Sequence, residues 1–285
     1  MTEPWETEKR IVESTKEPIT KKRVLRDLRA AGVEIGDTVI VHTSMRSIGW
    51  IVGGAVTIIE ALMQAVTDNG TIVIPTQSTD NGEPSHWRAP AVPESWWSII
   101  RSEMPPYDPV TTPTRKMGIV AETFRKYPEV YRSPHPQASF AAWGKNAKEI
   151  VTVHPKDDVF GKNSPLGRLY EFDAKILLIG IQYNANTSLH YAEFKANLPN
   201  IPRVNKGAAV FEHGKRMWAT WDEIDYNDDD FARIGQEFER AKDLSAVHIG
   251  QAESHIFPMR ELVDFAVEWM REHRTYTEGE LGWNH

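Results

Sequence analysis

Short aliphatic and β-branched runs recur along this chain with helix-patterned stretches between them, and that alternation restricts the fold more than any other feature. Thr38-Val39-Ile40-Val41, Thr71-Ile72-Val73-Ile74 and Ile176-Leu177-Leu178-Ile179-Gly180-Ile181 read as strands. Residues 20–31 read as a helix ending at Gly32. Val56, Ile59, Leu62, Met63 and Ala65 follow Gly53-Gly54 with helical spacing, and Asp68-Asn69-Gly70 turns the chain into the next strand. Strand, crossover helix, strand is the repeating unit. Further helices are expected over 117–126, over 164–172, from Thr187, from Asp228 to about Ala241 and from about Pro258 to Arg271. Further strands are expected over 138–142 and 244–249, with a hairpin around Glu212-His213-Gly214-Lys215 and a loosely ordered last dozen residues. The pattern predicts α/β architecture: a three-layer α/β/α sandwich, one domain over 1–285 with its core at about 20–272 and loops inserted into it. The largest insertion, Gln77 to Thr114, is rich in proline and carries Trp87, Trp96 and Trp97. A long loop with that aromatic content reads as a wall or lid rather than a free linker.

A chain of 285 residues can bury a sizeable core without staples, and this one has no cysteine. Disulfides, thiolate metal sites and a cysteine nucleophile are therefore excluded, and a reducing compartment fits. The formal charge is −7 and no long Lys/Arg run appears, which argues against nucleic acid and suits a cationic small molecule. The start, MTEPWETEKR, is polar and does not read as a signal peptide. The strongest apolar run, Ile176 to Ile181, is far short of the ~20 residues that span a bilayer. A cytoplasmic, unanchored protein is the expectation.

Two nucleotide signatures are missing, G-x-x-x-x-G-K-[ST] and a G-x-G-x-x-G behind a strand, as is the nucleophile elbow G-x-S-x-G. Behind the first strand stands instead His42-Thr43-Ser44-Met45-Arg46-Ser47-Ile48-Gly49-Trp50-Ile51-Val52-Gly53-Gly54. Hydroxyls, glycines and one arginine leading into a helix N-terminus offer donors to an anion, or make an ordinary polar turn. Behind the strand at 175–181 comes Asn186-Thr187-Ser188-Leu189-His190-Tyr191-Ala192-Glu193. Asn186 or Thr187 can cap a helix there, which puts His190 in its first turn, placed for proton transfer or for capping. An inverted zincin motif would need a histidine at Phe194, so no metal is expected. Asp222-Glu223-Ile224-Asp225-Tyr226-Asn227-Asp228-Asp229-Asp230 fails as a calcium loop, because counting from Asp225 puts Asp230 at the glycine position and Gln236 at the glutamate position. It reads as a solvated acidic turn, or as Glu223 and Asp225 pointing one way to hold a polycation or orient a histidine. His135 lies between Pro134 and Pro136 and reads as part of a rigid turn.

Taken in order, VHTSMRSIGWIVGG, TQSTDNGEPSHWRAPAVPESWW, TPTRKMG, RSPHPQASFAAWG, NSPLGRLYE, NANTSLHYAEFK and WDEIDYNDDDF resemble the aminoglycoside 3-N-acetyltransferase family over about 40–265. The resemblance implies the three-layer fold, unrelated to the widespread acetyltransferase fold with an R/Q-x-x-G-x-G/A loop, and direct acetyl transfer from acetyl-CoA without a metal. It implies that Ser44, Arg46, Ser47, Ile48 and Gly49 hold the CoA phosphates and pantetheine arm, with Thr114 and Arg115 nearby. His190 is implied as general base, Glu223 as the residue that orients it or meets the substrate, and Asp80, Glu193 and Asp225 as carboxylates for the ammonium groups of a polycationic aminoglycoside. The rivals are a homologue acetylating another amine, a CoA-binding protein without turnover, and a hydrolase using Ser188 or Ser44. The exposed aromatic loop permits a homodimer.

Overall fold

The computed structural model describes residues 4–277. In chain order its regular elements begin with α1 (Pro4–Ser14), α2 (Lys21–Ala30), β1 (Thr38–Thr43), α3 (Met45–Ile48), α4 (Gly54–Val66) and β2 (Thr71–Pro75). There follow α5 (Trp97–Glu103), α6 (Gly118–Phe124), β3 (Tyr131–Arg132), β4 (Phe140–Gly144), α7 (Ala147–Val151), α8 (Pro165–Glu171), β5 (Lys175–Ile179) and α9 (Ser188–Ala196). The chain continues with β6 (Arg203–Glu212), β7 (Lys215–Ile224), α10 (Phe231–Lys242), β8 (Val247–Ile249), β9 (Ala252–Pro258) and α11 (Met259–His273).

One seven-stranded sheet has the order β3-β4-β2-β1-β5-β9-β8. Its centre is parallel, with Ile40 opposite Val73 on one side and opposite Ile176 on the other, and its flanks are antiparallel. Period-2 alternation sends successive side chains to opposite faces. Ile40, Val73, Ile176 and Leu178 pack against α7, α8, α9, α10 and α11. Val39, Val41, Ile72, Ile74, Leu177 and Ile179 pack against α2, α4 and α6. Apolar residues on both faces are what a helix-covered sheet needs, and the layers are those of an α/β/α sandwich.

From β1 the chain crosses through α4 to β2 on one side, while β5 joins β1 on the other, so the strand order reverses between β1 and β5. Open α/β sheets leave a crevice outside the strand carboxyl ends at such a point. The turn after β1 is pinned there. Ser44 N–H donates to the Ile179 carbonyl at 2.9 Å, and Ser47 Oγ donates to the Gly180 carbonyl at 3.0 Å. Gly180 has φ +63°, and a Cβ on it would stand 2.4 Å from Ser47 Cβ, so only glycine fits.

Outside the sheet, β6 and β7 pair only with each other, over ten residue pairs from Arg203–Ile224 to Glu212–Lys215. Their two-residue turn, His213-Gly214, has positive φ at both positions, the twist that a tight hairpin needs. The 77–114 segment lies along this ribbon. Asn81 exchanges hydrogen bonds with the Ala209 main chain at 3.1 and 3.2 Å, Tyr107 N–H donates to the Ala209 carbonyl at 2.9 Å, and Arg216 Nε donates to the Met104 carbonyl at 3.2 Å.

Several elements depart from the sequence reading. Helix α5 sits inside the segment read as loop, and α1, α3, α7, β3 and β9 had no counterpart. The expected strand at 244–249 is confined to Val247–Ile249, and 138–142 is shifted to Phe140–Gly144. Asp228 was the expected cap of α10, but the helix begins after Asp230, whose carboxylate is drawn away by Arg274. Of the last dozen residues, Arg274 is 8% exposed in its side chain and tied down, while those from 278 on lie outside the described residues.

Candidate active site

His190 is set by the start of α9. Asn186 Oδ1 accepts the Ser188 N–H at 3.2 Å, and His190 N–H donates to the Thr187 carbonyl at 3.1 Å, which fixes the first turn directly beyond the end of β5. One helical turn on, Glu193 lies on the same face. Its Oε2 stands 2.6 Å from His190 Nδ1, and the pair is 1% exposed at Glu193 and 18% at His190. The imidazole stacks on Phe160 with ring centroids 4.8 Å apart and planes at 10°, and Tyr226 and Phe231 close it from two other sides at 5.4 and 4.9 Å. Its Nδ1 is engaged and its ring is held flat, so Nε2 is the nitrogen left to exchange a proton with a ligand.

The other Glu193 oxygen accepts the Asn227 N–H at 2.9 Å and Arg274 Nη1 at 2.6 Å. Glu193 is thus wholly engaged and buried, a geometry for fixing the histidine rather than for meeting an ammonium group. Glu223 is elsewhere: its Oε2 accepts Trp221 Nε1–H at 2.7 Å on the buried face of β7. Burial pushes the Glu223 carboxyl above its ordinary range, against the lowering effect of Lys206 and the Trp221 N–H. The carboxylate on the imidazole is Glu193, and nothing in the spacing of the acidic stretch reveals that, whereas the i, i+3 spacing of His190 and Glu193 does. Asp225 is half-buried just past β7, its N–H donating to the Pro202 carbonyl at 2.9 Å.

The glycine and hydroxyl turn occupies the neighbouring strand end. Ser47 Oγ stands 3.0 Å from Ser44 Oγ, Ile48 is buried, and Gly49 has φ +100°. Arg46 is exposed, with no ion pair among the described residues. Gly53, at φ +81°, leads into α4, a 13-residue helix that brings its positive dipole end to this turn. This donor set fits an anionic phosphate chain. Buried beside it on β1, His42 is lowered to about 4 by desolvation, and its Nε2 has no partner among the described residues.

Beyond β2, Arg115 N–H donates to the Gln77 carbonyl at 2.8 Å. Its guanidinium meets Asp80 at 3.3 Å, so one residue expected on CoA and one expected on the antibiotic form a single exposed pair. Thr114 donates through N–H and Oγ1 to Glu122 Oε2 at 3.0 and 2.9 Å. Asp80 and Arg115 line a cleft of about 580 Å³ together with Glu83, Trp87, Gln137 and Lys206. Residues between Thr79 and Val92 of the 77–114 segment therefore form a wall of that cleft. His135 accepts the N–H groups of Gln137 and Ala138 at 3.1 and 2.9 Å, the behaviour of a turn-forming histidine. Among the described residues no three His, Asp or Glu side chains converge as metal ligands. None of the described helices is long and apolar enough to cross a membrane.

Comparison with known proteins adds to this geometry. The sequence pattern of the family described as aminoglycoside 3-N-acetyltransferase matches residues 40–271. The chain belongs to that family. It is 44% identical to the prophage-derived aminoglycoside N(3')-acetyltransferase-like protein YokD of Bacillus subtilis, over 92% of this chain and 96% of that protein. It is 36% identical to aminoglycoside N(3)-acetyltransferase VII of Streptomyces paromomycinus, over 90% and 92% of the two chains. The crystal structure of YokD superposes with a TM-score of 0.90 at 43% identity, covering 93% of this chain and 98% of that one. An AAC-IIIb complex with CoASH superposes with a TM-score of 0.80 at 28% identity, covering 90% and 97%. Sisomicin-bound AAC-VIa gives 0.81 at 30%, covering 91% and 100%. Family membership makes the chain an acyltransferase of this fold.

Proposed function

We propose that this protein transfers an acetyl group from acetyl-CoA to the 3-amino group of the 2-deoxystreptamine ring of an aminoglycoside, by direct attack with His190 as general base. The observation that carries the reading is the His190–Glu193 pair at the switch point of the sheet, one strand away from the Ser44–Gly49 turn. The CoA-bound and sisomicin-bound relatives support the choice of the two substrates.

Bound acetyl-CoA would supply the activated acyl carbon. Arg46, the Ser44 hydroxyl and the first turn of α4 would hold its phosphates, with the Ser47 hydroxyl oxygen as an acceptor for the arm and Thr114 and Arg115 at the cleft side. An ammonium group has no lone pair, so the acceptor must lose a proton before or as it attacks. That first proton passes to solvent; as the amine nitrogen then bonds to the thioester carbon, His190 Nε2 takes the second proton from it, and Glu193 stabilises the imidazolium through Nδ1–H. When the carbon–sulfur bond breaks, the same Nε2 returns the proton to the departing sulfur, which leaves as free thiol. The remaining ammonium groups of the acceptor meet Asp80, which lines the cleft, and Asp225 just past β7, with Glu223 two residues before it on that strand.

The test is thiol release from acetyl-CoA with a panel of aminoglycosides and simple amines, on wild type and His190→Ala in parallel. Release with an aminoglycoside that is lost in the variant, while CoA still binds, is the expected result. A variant that turns over at the wild-type rate would remove His190 from the mechanism, and release only with simple amines would replace the acceptor.

A further inference from the structure

The charge that stands behind the candidate base comes from a segment past the last helix, beyond residue 271 where the family pattern stops. Arg274 directly follows α11. Its Nη1 lies 2.6 Å from Glu193 Oε1, with side-chain exposures of 8% and 1%. The guanidinium is itself fixed: Nε donates to Asp230 Oδ2 at 2.8 Å, and Nη2 donates to Asp230 Oδ1 and, at 2.9 Å, to the Asn227 carbonyl. A continuous line therefore runs from Asp230 through Arg274 and Glu193 to His190 Nδ1.

We propose that Arg274 is a positioning residue that fixes the tautomer of His190 by keeping Glu193 ionised. The inference rests on the reading of His190 as base. A buried carboxyl group beside a histidine has two states with opposite consequences. Ionised, it accepts the Nδ1 proton and leaves a bare Nε2 that can take a proton from the acceptor amine. Neutral, its O–H donates to Nδ1, the single imidazole proton moves to Nε2, and the base is blocked. Burial alone favours the neutral state, because an unpaired charge in a dry site is costly. A guanidinium on the far oxygen reverses that preference, and it stays charged at every pH where the enzyme works.

The other charged or titratable groups around the pair do not supply that compensation. Asp230 at the head of α10 is a carboxylate, and Tyr226 packs on the imidazole under the influence of Glu223, Glu193 and Asp158. Tyr276 sits beside Arg274 on the same terminal segment. Without the guanidinium, the far oxygen keeps the neutral Asn227 N–H but no cationic partner among the described residues, and a proton on Glu193 is the relief open to it.

The test combines 15N spectra of the histidine rings with steady-state kinetics. His190 signals are assigned by their loss in His190→Ala, and at neutral pH the wild type is expected to carry its proton on Nδ1 with Nε2 bare. Arg274→Met is expected to move the proton to Nε2 and to lower kcat on the order of 100-fold, with KM for acetyl-CoA within about twofold. Glu193→Gln should give a similar loss, and the double variant should be no worse than Glu193→Gln alone. Arg274→Lys, which keeps the charge, should keep the wild-type tautomer and recover most of kcat. A wild-type spectrum with the proton on Nε2 would overturn the proposal without any variant, so a failure of Arg274→Met to fold leaves it decidable. An Arg274→Met enzyme that loses kcat but keeps the wild-type tautomer would also overturn it, since that is a merely structural loss. If His190→Ala is inactive while Arg274→Met is fully active, this inference fails and the base assignment stands; if His190→Ala is active, the base assignment fails first.

Discussion

Protonation of buried histidines should set the acid limit of this fold. His154 is 5% exposed, donates Nε2–H to the Val159 carbonyl at 2.8 Å and accepts from Ser133 Oγ at Nδ1 at 2.9 Å. Burial lowers it to about 4, and lowers His42 to about 4 as well. Burial lowers His135 in the same direction, and a charge on His154, whose ring centroid is 4.6 Å away, would lower it further. In the unfolded chain each takes up its proton near pH 6.5, so the folded state binds fewer protons between about 6.5 and 4. The stabilisation is fully present above pH 6.5 and is lost as the pH falls through that window. For one group moving from 6.5 to 4, the loss on going from pH 8 to pH 5 is about 2 kcal/mol, and for His42 and His154 together about 4 kcal/mol. Carboxylates titrate mostly below this range, so the slope belongs chiefly to the histidines. Urea unfolding of wild type and His154→Gln at half-unit steps from pH 5 to 8 measures it. The variant should start less stable at pH 8 and lose about 2 kcal/mol less by pH 5. Parallel curves would refute the argument, because they would mean that His154 is not buried neutral.

Gly180→Ala should cost about 2–3 kcal/mol from left-handed strain and the contact with Ser47, lower Tm, and raise KM for acetyl-CoA as the Ser44–Ser47 turn shifts; an unchanged Tm would contradict the geometry at Gly180. Glu193→Gln should appear in kcat, whereas Glu223→Gln should appear in the aminoglycoside KM with a smaller change in kcat. Equal kcat losses in the two variants would restore Glu223 as the carboxylate that acts on the histidine. Asp80→Asn should change stability by less than about 1 kcal/mol, since its pair with Arg115 is exposed, and should weaken aminoglycoside binding by an amount that shrinks as salt is raised.

The parts of the molecule with a strong local signal were legible in the sequence. Thr38-Val41, Thr71-Ile74 and Ile176-Ile179 are apolar at every position or nearly so, and they became the parallel centre of the sheet. Asn186 and the spacing that follows it were enough to place His190 in a first turn at a strand end. Strand β3 was not legible because two residues carry no period, and β9, AESHIFP, mixes polar with apolar residues and owes its state to pairing with β5 and β8. Helix α5 has no buried residue, so no apolar stripe marks it, and α1 has an exposed Trp5 and Val12 where a stripe would be sought. At the site, the partner of His190 is three residues away in the sequence, whereas the denser charges of 222–230 lie apart from the imidazole. The contact between Arg274 and Glu193 joins positions 81 apart, and no local pattern carries such a pairing.

Among the described residues the β6–β7 ribbon pairs with no strand of the large sheet, and it meets the 77–114 segment through hydrogen bonds of Asn81, Tyr107 and Arg216. That separation divides the molecule's tolerance for change. A substitution inside β1, β2 or β5 disturbs two packed layers at once, whereas one on the ribbon reshapes a cleft wall and leaves the strand pairing of the sheet alone. Selection on the shape of that cleft can therefore work on the ribbon without disturbing the sheet. In a lineage exposed to changing antibiotics, the cleft wall would be expected to diverge faster than the turns that follow β1 and β5.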